Sequence, residues 1–387
     1  MIVRIRLVSV LIILMSSTFV YAENKSNGII GALIGKEASN WIGLENHGIT
    51  IGGWMTGGIN YNSANTPEGS NGPVSMTDRN GSVNLYQTDL FIEKAVNKGS
   101  SWDIGGRFDY MFGTDTRYTQ ASGNWDSYLL SKNSYYNMAI PQAYAEIFAP
   151  LAQGLSVKVG HFYTIMGYES VASTPNFFSS HTYSFKSSPF TTTGALFNIA
   201  LNDEWGFNAG AVTGADNFNR DIGAWSQMSG LTWTHSKTGT SASLSVLSGD
   251  VYSTYPSQLM YYTAIFQQAL GKWHYILQHD LGAQQNAVAQ GQNADWYSIV
   301  QYMLYQATDE WGVGVRGEWF RDTNGVRYTY GKANYYAMTG GLNWKPKRWL
   351  MIRPEVRYDW SQAKIAPFDG GQRTGQFLMC VDAVIQF

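Results

Sequence analysis

Charge is scarce in this 387-residue chain: only 14% of residues are Asp, Glu, Lys or Arg, against about a quarter in an ordinary soluble domain. Cysteine is nearly absent. The single Cys380 excludes an internal disulfide, and it stands far from the amino-terminal region where a lipoprotein cysteine would have to sit. No stretch after residue 22 approaches about eighteen unbroken apolar residues, which excludes helical membrane spans. A basic excess is missing too. Setting aside Arg4 and Arg6 from the 26 basic residues leaves 24 against 28 acidic ones, a net of about −4, which argues against a nucleic-acid partner.

Catalytic signatures are equally sparse. Six histidines occur, but none in an HExxH pattern. His274 and His279 fall on opposite faces of one strand and cannot share a metal. His161 precedes no recognisable nucleophile. No GxSxG, Walker or dinucleotide-binding glycine pattern is present. Asp216-Asn217-Phe218-Asn219-Arg220-Asp221 offers alternating oxygen ligands without the distal Glu of a calcium loop, and reads as a turn-rich connection. The expectation is no metal, no cofactor and no enzymatic activity.

What is abundant is aromatic and glycine: 14 Trp, 25 Tyr, 18 Phe and 41 Gly. The first residues have the form of an export signal. Arg4 and Arg6 precede an apolar core from Leu7 to Phe19, and Val20-Tyr21-Ala22 supplies small residues for cleavage after Ala22. The division expected is therefore a signal peptide at 1–22, a periplasmic segment at 23–48 and one unit from 49 to 387.

That unit resolves into about sixteen β-type segments, from 49–61 through to 376–387, most of ten to thirteen residues. Strands of globular proteins average about 5–6 residues, whereas a tilted membrane-crossing strand needs roughly 9–11. The connections alternate. Long polar ones (62–82, 113–138, 167–188, 214–224, 284–294, 323–334, 361–375) are interleaved with short turns such as Asn202-Asp203-Glu204, Gly271 and Pro346-Lys347-Arg348. Trp102, Trp205, Trp273, Trp311 and Trp349 each follow a short turn, where an aromatic girdle meets the lipid–water boundary.

Period-two alternation separates two faces. In 349–360, Leu350, Ile352, Val356, Tyr358 and Trp360 oppose Arg353, Glu355, Arg357 and Asp359. In 311–322, Val313, Val315 and Trp319 oppose Arg316 and Glu318. Long, apolar strands with free edges would pair with other chains, and closure removes the edges. The fold class is all-β: a transmembrane antiparallel up-and-down β-barrel of about sixteen strands, with apolar residues toward lipid and charges toward the lumen. Pro354, in mid-strand without an N–H, predicts a bulge or kink.

Several strings carry a resemblance: Gly106-Arg107-Phe108-Asp109-Tyr110-Met111-Phe112-Gly113-Thr114-Asp115, Pro141-Gln142-Ala143-Tyr144 and Lys158-Val159-Gly160-His161-Phe162-Tyr163 with Gly167-Tyr168-Glu169. Pro189-Phe190-Thr191-Thr192-Thr193-Gly194 and Ile352-Arg353-Pro354-Glu355-Val356-Arg357-Tyr358-Asp359-Trp360 complete the set. The chain resembles the putative β-barrel porin-2 family, the OmpL-like group, from about residue 44 onward. The resemblance implies a barrel of the Gram-negative outer membrane without an established substrate. Phe387 looks like the terminal aromatic read by the barrel assembly machinery.

Sixteen strands enclose a lumen wide enough for water. The function expected is passive diffusion of small hydrophilic solutes or ions; the alternative is a filled or plugged barrel acting as a surface scaffold or adhesin. Candidate lining groups are Arg107, Asp109, Glu146, Lys158, Arg316, Glu318, Arg353, Glu355, Arg357 and Asp359, with Asp89 and Glu93 beside them. Each could equally brace the wall by cross-strand pairing. The 167–188 loop carries Phe177, Phe178, His181 and Tyr183 with almost no charge, and is expected to fold inward as a constriction, against an external cap as the plainer arrangement. Expected partners are outer-membrane lipid, the assembly machinery and the solutes. The sequence leaves the oligomeric state open, a homotrimer included.

Overall fold

The computed structural model describes residues 28–34, 43–64, 66, 69–129, 135–254, 256–288, 291–328 and 330–387. The expected leader and its cleavage after Ala22 lie outside the described residues. Of the segment expected at 23–48, Ile29–Ile34 form a short helix and Leu44–His47 a single 3-10 turn.

Sixteen strands follow in order: β1 (Ile49–Asn62), β2 (Val83–Lys94), β3 (Asp103–Gly113), β4 (Asn137–Ala149), β5 (Leu155–Tyr163), β6 (Thr191–Ala200), β7 (Trp205–Val212) and β8 (Ser226–His235). The second half comprises β9 (Thr240–Asp250), β10 (Gln258–Leu270), β11 (Trp273–Val288), β12 (Gln292–Gln306), β13 (Trp311–Asp322), β14 (Ala333–Lys347), β15 (Leu350–Ser361) and β16 (Gly375–Gln386). Each pairs antiparallel with its sequence neighbours, and β16 closes on β1. The all-β barrel expected from the sequence is the fold observed. Closure extends to the last residue: Phe387 and Gly53 exchange backbone hydrogen bonds of 3.0 and 2.8 Å.

Inside and outside follow the pleat. On β13, Val313 and Val315 are exposed while Arg316 and Glu318 are buried; on β15, Val356 and Tyr358 are exposed while Arg353, Glu355, Arg357 and Asp359 are buried. An apolar residue exposed on a strand that faces hydrocarbon is at no disadvantage, so the usual sense of burial is inverted. The girdle tryptophans fall where expected: Trp102, Trp205, Trp273 and Trp311 are exposed, and Trp349 is half-buried. Trp311 stacks on Trp344 at 5.5 Å and Trp273 tilts against Tyr305 at 4.7 Å.

Eight connections share one end, most of them long: L1 (63–82), L2 (114–136), L3 (164–190), L4 (213–225), L5 (251–257), L6 (289–291), L7 (323–332) and L8 (362–374). Two expectations are corrected, and the irregularity expected at Pro354 is located. The connection at 284–294 is not long, because β11 runs to Val288 and β12 starts at Gln292; these polar strand ends keep pairing. The Gly271 turn takes two residues, Gly271 and Lys272, with Gly271 at φ 59°, a left-handed conformation that a tight hairpin needs. At Pro354 the pairing with β16 continues through Val381, and the interruption falls on the β14 side, where the ladder lapses between Gly341↔Glu355 and Trp344↔Ile352. The register shift itself lies further along, between Trp344 and Lys347.

The facing of β13 can be tested directly. Val315→Lys should destabilise the barrel by about 2–4 kcal/mol in lipid, as for a cation placed near the bilayer midplane, measured by denaturant titration in bilayers. An unchanged midpoint would mean that Val315 does not meet hydrocarbon.

Candidate functional site

L3 does not stay outside. It leaves β5, crosses the barrel interior and returns to β6, and nearly every residue from Met166 to Phe190 is buried or half-buried. A loop inside the lumen carries backbone donors and acceptors that must find partners away from bulk water. The inward faces of β13, β15 and their neighbours supply them.

Two carboxylates each capture consecutive backbone N–H groups. Glu355 accepts from Ser179 N at 2.8 Å and from Ser180 N at 3.2 Å. Glu318 accepts from Tyr183 N at 2.9 Å and from Ser184 N at 2.8 Å. Three arginines take the carbonyls. Arg353 donates to Ser173 O at 2.9 Å and Asn176 O at 2.8 Å, Arg316 to Ser180 O at 2.7 Å and Arg357 to His181 O at 2.5 Å. Each arginine is neutralised as well: Arg353 by Asp382 (2.5 Å), Arg357 by Asp359 (2.7 Å) and Arg316 by Glu169 of L3 itself (2.6 Å). Charge-assisted bonds of this kind hold tightly because both partners are already desolvated.

The loop's side chains fit dents in the wall. A Cβ at Gly314 would come within 2.6 Å of the Phe177 ring, and one at Gly341 within 3.2 Å of Phe178; glycine there makes room for the two rings. Arg316 lies over Phe178 at 4.9 Å, and Phe178 packs beside Tyr302. His181 stacks on Phe185 at 4.0 Å and meets Glu169 at 3.1 Å. Tyr183 starts a short helix (Tyr183–Ser187), donates its hydroxyl to Asp359 at 2.8 Å and packs on Tyr328 of L7. Gln87 of β2, three strands from β15 by way of β1 and β16, accepts from Ser173 N and donates to Val171 O, so L3 crosses from its roots on β5 and β6 to the wall formed by β11, β13, β15 and β2.

Burial alone would raise the Glu169 carboxyl, but Arg316 beside it, with hydrogen bonds from His181 and Thr182, carries it from 4.5 down to about 2. Asp216 of L4 accepts from Phe190 N and Thr191 N where L3 rejoins the wall, and burial pushes it up to about 6 against those bonds. The oxygens of the Asp216–Asp221 run are therefore engaged by backbone: Asn217 accepts from Arg220 N and Asp221 from Gly223 N and Ser253 N.

The ten lining candidates divide into two groups. Arg316, Glu318, Arg353, Glu355, Arg357 and Asp359 lie beneath L3, each at most 6% exposed. Glu146, Lys158 and Arg107 stay half-buried on β3–β5, and Glu93 of β2 joins them. Arg107 bridges Glu93 at 3.0 Å and Asp109 at 2.6 Å, with Asp109 itself buried and bound by Gln142. Lys158 rests over the Tyr144 ring at 4.1 Å and is the register partner of Glu146. Asp89, beside this group, is wholly buried. Phe387, the expected assembly signal, sits at the barrel seam with its ring over Gly53. Sequence reasoning missed Glu169, Asp280, Tyr302, Gln278 and Asp382 as loop anchors; Ser184 Oγ bonds Asp280, Tyr302 donates to Glu169 at 2.9 Å and Gln278 accepts from Tyr168 N at 2.8 Å. A lone acid in an otherwise almost uncharged loop was the available signal for Glu169.

A closed sixteen-stranded barrel whose third long loop folds into a polar lumen defines the class of outer-membrane porins. More narrowly, the chain belongs to the putative β-barrel porin-2, OmpL-like family, whose profile matches residues 48–387. Its localisation is the Gram-negative outer membrane. No curated protein matches it by sequence. Among solved structures, OprB of Pseudomonas putida in a high-pH form superposes with a TM-score of 0.61 at 11% identity, covering 90% of this chain and 96% of that one. The anion-selective porin of Comamonas acidovorans gives 0.59 at 9% identity, covering 88% and 99%. OmpF of Salmonella typhi, in complex with daunomycin, gives 0.59 at 12%, also covering 88% and 99%. At these identities the likeness is one of fold.

Removing both loop-capturing carboxylates, Glu318→Gln with Glu355→Gln, should leave the barrel folded and make single-channel currents larger and noisier. Each loses charge-assisted bonds worth about 1.5–3 kcal/mol. The stabilisation from Glu169, whose pKa is depressed in the folded state, is complete above its ordinary value and lost as pH falls from 4.5 toward about 2. The part of any acid-side change in conductance that Glu169 carries should therefore appear only below about pH 5, and Glu169→Gln should abolish it; a change in that range that survives the substitution would contradict this assignment.

Proposed function

We propose that the protein lets small hydrophilic solutes and ions diffuse passively across the outer membrane, and that L3 sets the width of the path. The observation that carries this reading is the seating of L3 across the lumen by ionic side chains of the wall. Glu93, Arg107, Glu146 and Lys158, which keep access to water, then shape selectivity, while Arg316, Glu318, Arg353, Glu355, Arg357 and Asp359 fix the loop. Phe177, Phe178, His181 and Tyr183 form the body of the constriction. Diffusion of this kind needs no nucleophile, metal or cofactor from the chain. Outer-membrane lipid and the barrel assembly machinery, the latter reading Phe387, are the partners this role entails, and a homotrimeric assembly is compatible with it.

A second reading has its own support. L3 packs into apolar clusters on opposite walls: Met166 and Tyr183 with Leu196, Met228, Leu247 and Tyr261, and Val171, Phe185 and Phe190 with Trp54 and Met111. A lumen filled in this way suits a surface scaffold or adhesin. Liposome swelling with small sugars separates the two.

The full barrel in a planar bilayer should give stepwise, ohmic currents, and deletion of residues 172–184 should enlarge them. A silent bilayer with folded protein, or currents unaltered by the deletion, would remove L3 as the constriction. Glu93→Gln with Glu146→Gln should move the reversal potential in a salt gradient toward anions.

A further inference from the structure

The lipid-facing wall of β12–β14 carries a dent. Gly317 lies outward between Val315 and Trp319, and a Cβ there would meet only the Met338 sulfur at 3.2 Å; at Gly340, next along β14 from Met338, a Cβ would meet nothing within 4 Å. Ile299, Met303, Val315, Trp319 and Met338 line the resulting groove of about 520 Å³. No side chain among the described residues fills it.

Above the groove, toward the long-loop end, stands a belt of stacked rings. Tyr297 meets Trp319 edge-on at 5.5 Å, and Tyr336 stacks on Trp360 at 5.1 Å. Such rings mark the boundary between hydrocarbon and headgroups. Beyond them come three cations. Arg321 follows Trp319 by one two-residue step on the outward face of β13. Asn334 and Gln362, one such step beyond Tyr336 and Trp360, join the ends of β14 and β15 through a 2.8 Å hydrogen bond. Lys332 and Lys364 stand one step further and are exposed. The side chain of none of the three makes an ion pair or hydrogen bond among the described residues. The neighbouring acids do not answer them. Asp322 turns inward, binding backbone N–H groups of 325–328, Asp359 is held by Arg357, and Asp295 on the outward face of β12 forms no ion pair among the described residues.

Like charges gathered at the ends of neighbouring strands repel unless an anion lies between them. Arg321 is four residues from Gly317, about 13 Å along the strand, comparable with the roughly 15 Å half-thickness of the hydrocarbon. We propose that this face binds a phosphorylated lipid of the surrounding outer leaflet, with an acyl chain in the Gly317 groove and its phosphate between Arg321, Lys332 and Lys364.

The full barrel in neutral detergent is titrated with diphosphoryl lipid A and, separately, with its dephosphorylated form, and bound lipid is read by native mass spectrometry. Arg321→Gln/Lys332→Gln/Lys364→Gln should weaken binding of the phosphorylated form roughly tenfold to a hundredfold, from about a fivefold contribution per basic residue less mutual screening. Dephosphorylated lipid should bind the parent protein as weakly as the phosphorylated one binds the variant. Gly317→Leu, with every charge in place, should weaken binding by filling the groove. Neither variant touches the lumen, so unchanged conductance certifies folding. Equal binding of the two lipids, undiminished binding by the charge variant, or displacement by inorganic phosphate alone would overturn the proposal. So would a change in association state without a change in lipid binding, since a second copy of the chain would then cover this face.

Discussion

Hydrocarbon offers no partner to a peptide N–H or C=O, and every feature of this chain follows from that constraint. Sixteen strands satisfy one another only if the first pairs with the last, and here the ring is completed by β1, β16 and the terminal residue. A closed wall then has two faces that alternate residue by residue. Lipid claims one face for apolar side chains, and the ionic residues of the hydrocarbon-crossing stretches are left pointing inward, whereas strand ends beyond them, such as Arg321 and Asp295, carry charge outward.

An interior that wide and that charged is not self-satisfying. Side chains alone fill a barrel of about eight strands but not one of sixteen. The inward carboxylates and guanidinia pair partly with each other, as Arg353 does with Asp382, and spend their remaining capacity on the backbone of L3. The relation is mutual: the loop needs partners for its peptide groups, and the wall needs partners for its charges. Ordering some twenty residues costs substantial conformational entropy, and the dents at Gly314 and Gly341 that receive Phe177 and Phe178 add apolar contact to offset it. Ionic anchors also fix where the loop lies, since a carboxylate that grips two consecutive N–H groups tolerates little displacement.

The strands were legible because lipid enforces period two over ten or more residues, a longer and more regular signal than a soluble sheet provides. It failed where strands outrun the membrane. Gln284 and Val288 lie in β11, but their surroundings are polar and no longer alternate, so the sequence reads as loop. Alternation also identified Arg316, Glu318, Arg353, Glu355, Arg357 and Asp359 as inward-facing. What covers them was beyond its reach, because Ser179 and Glu355 are 176 residues apart in the chain. The aromatic content of L3 suggested an inward path; the partners of Glu169, and the part played by Asp382, depend on three strands meeting in space.

The chain carries its own reporter of whether the loop is seated. Cys380 points inward from β16, is buried, and is the register partner of Glu355, which holds Ser179 and Ser180. The rate at which a hydrophilic, membrane-impermeant maleimide labels Cys380, in the parent barrel and in the barrel lacking 172–184, measures the loop's protection without any introduced residue. The account predicts slow labelling of the parent and rapid labelling once the loop is gone. Rapid labelling of the parent would mean that L3 does not rest on this wall.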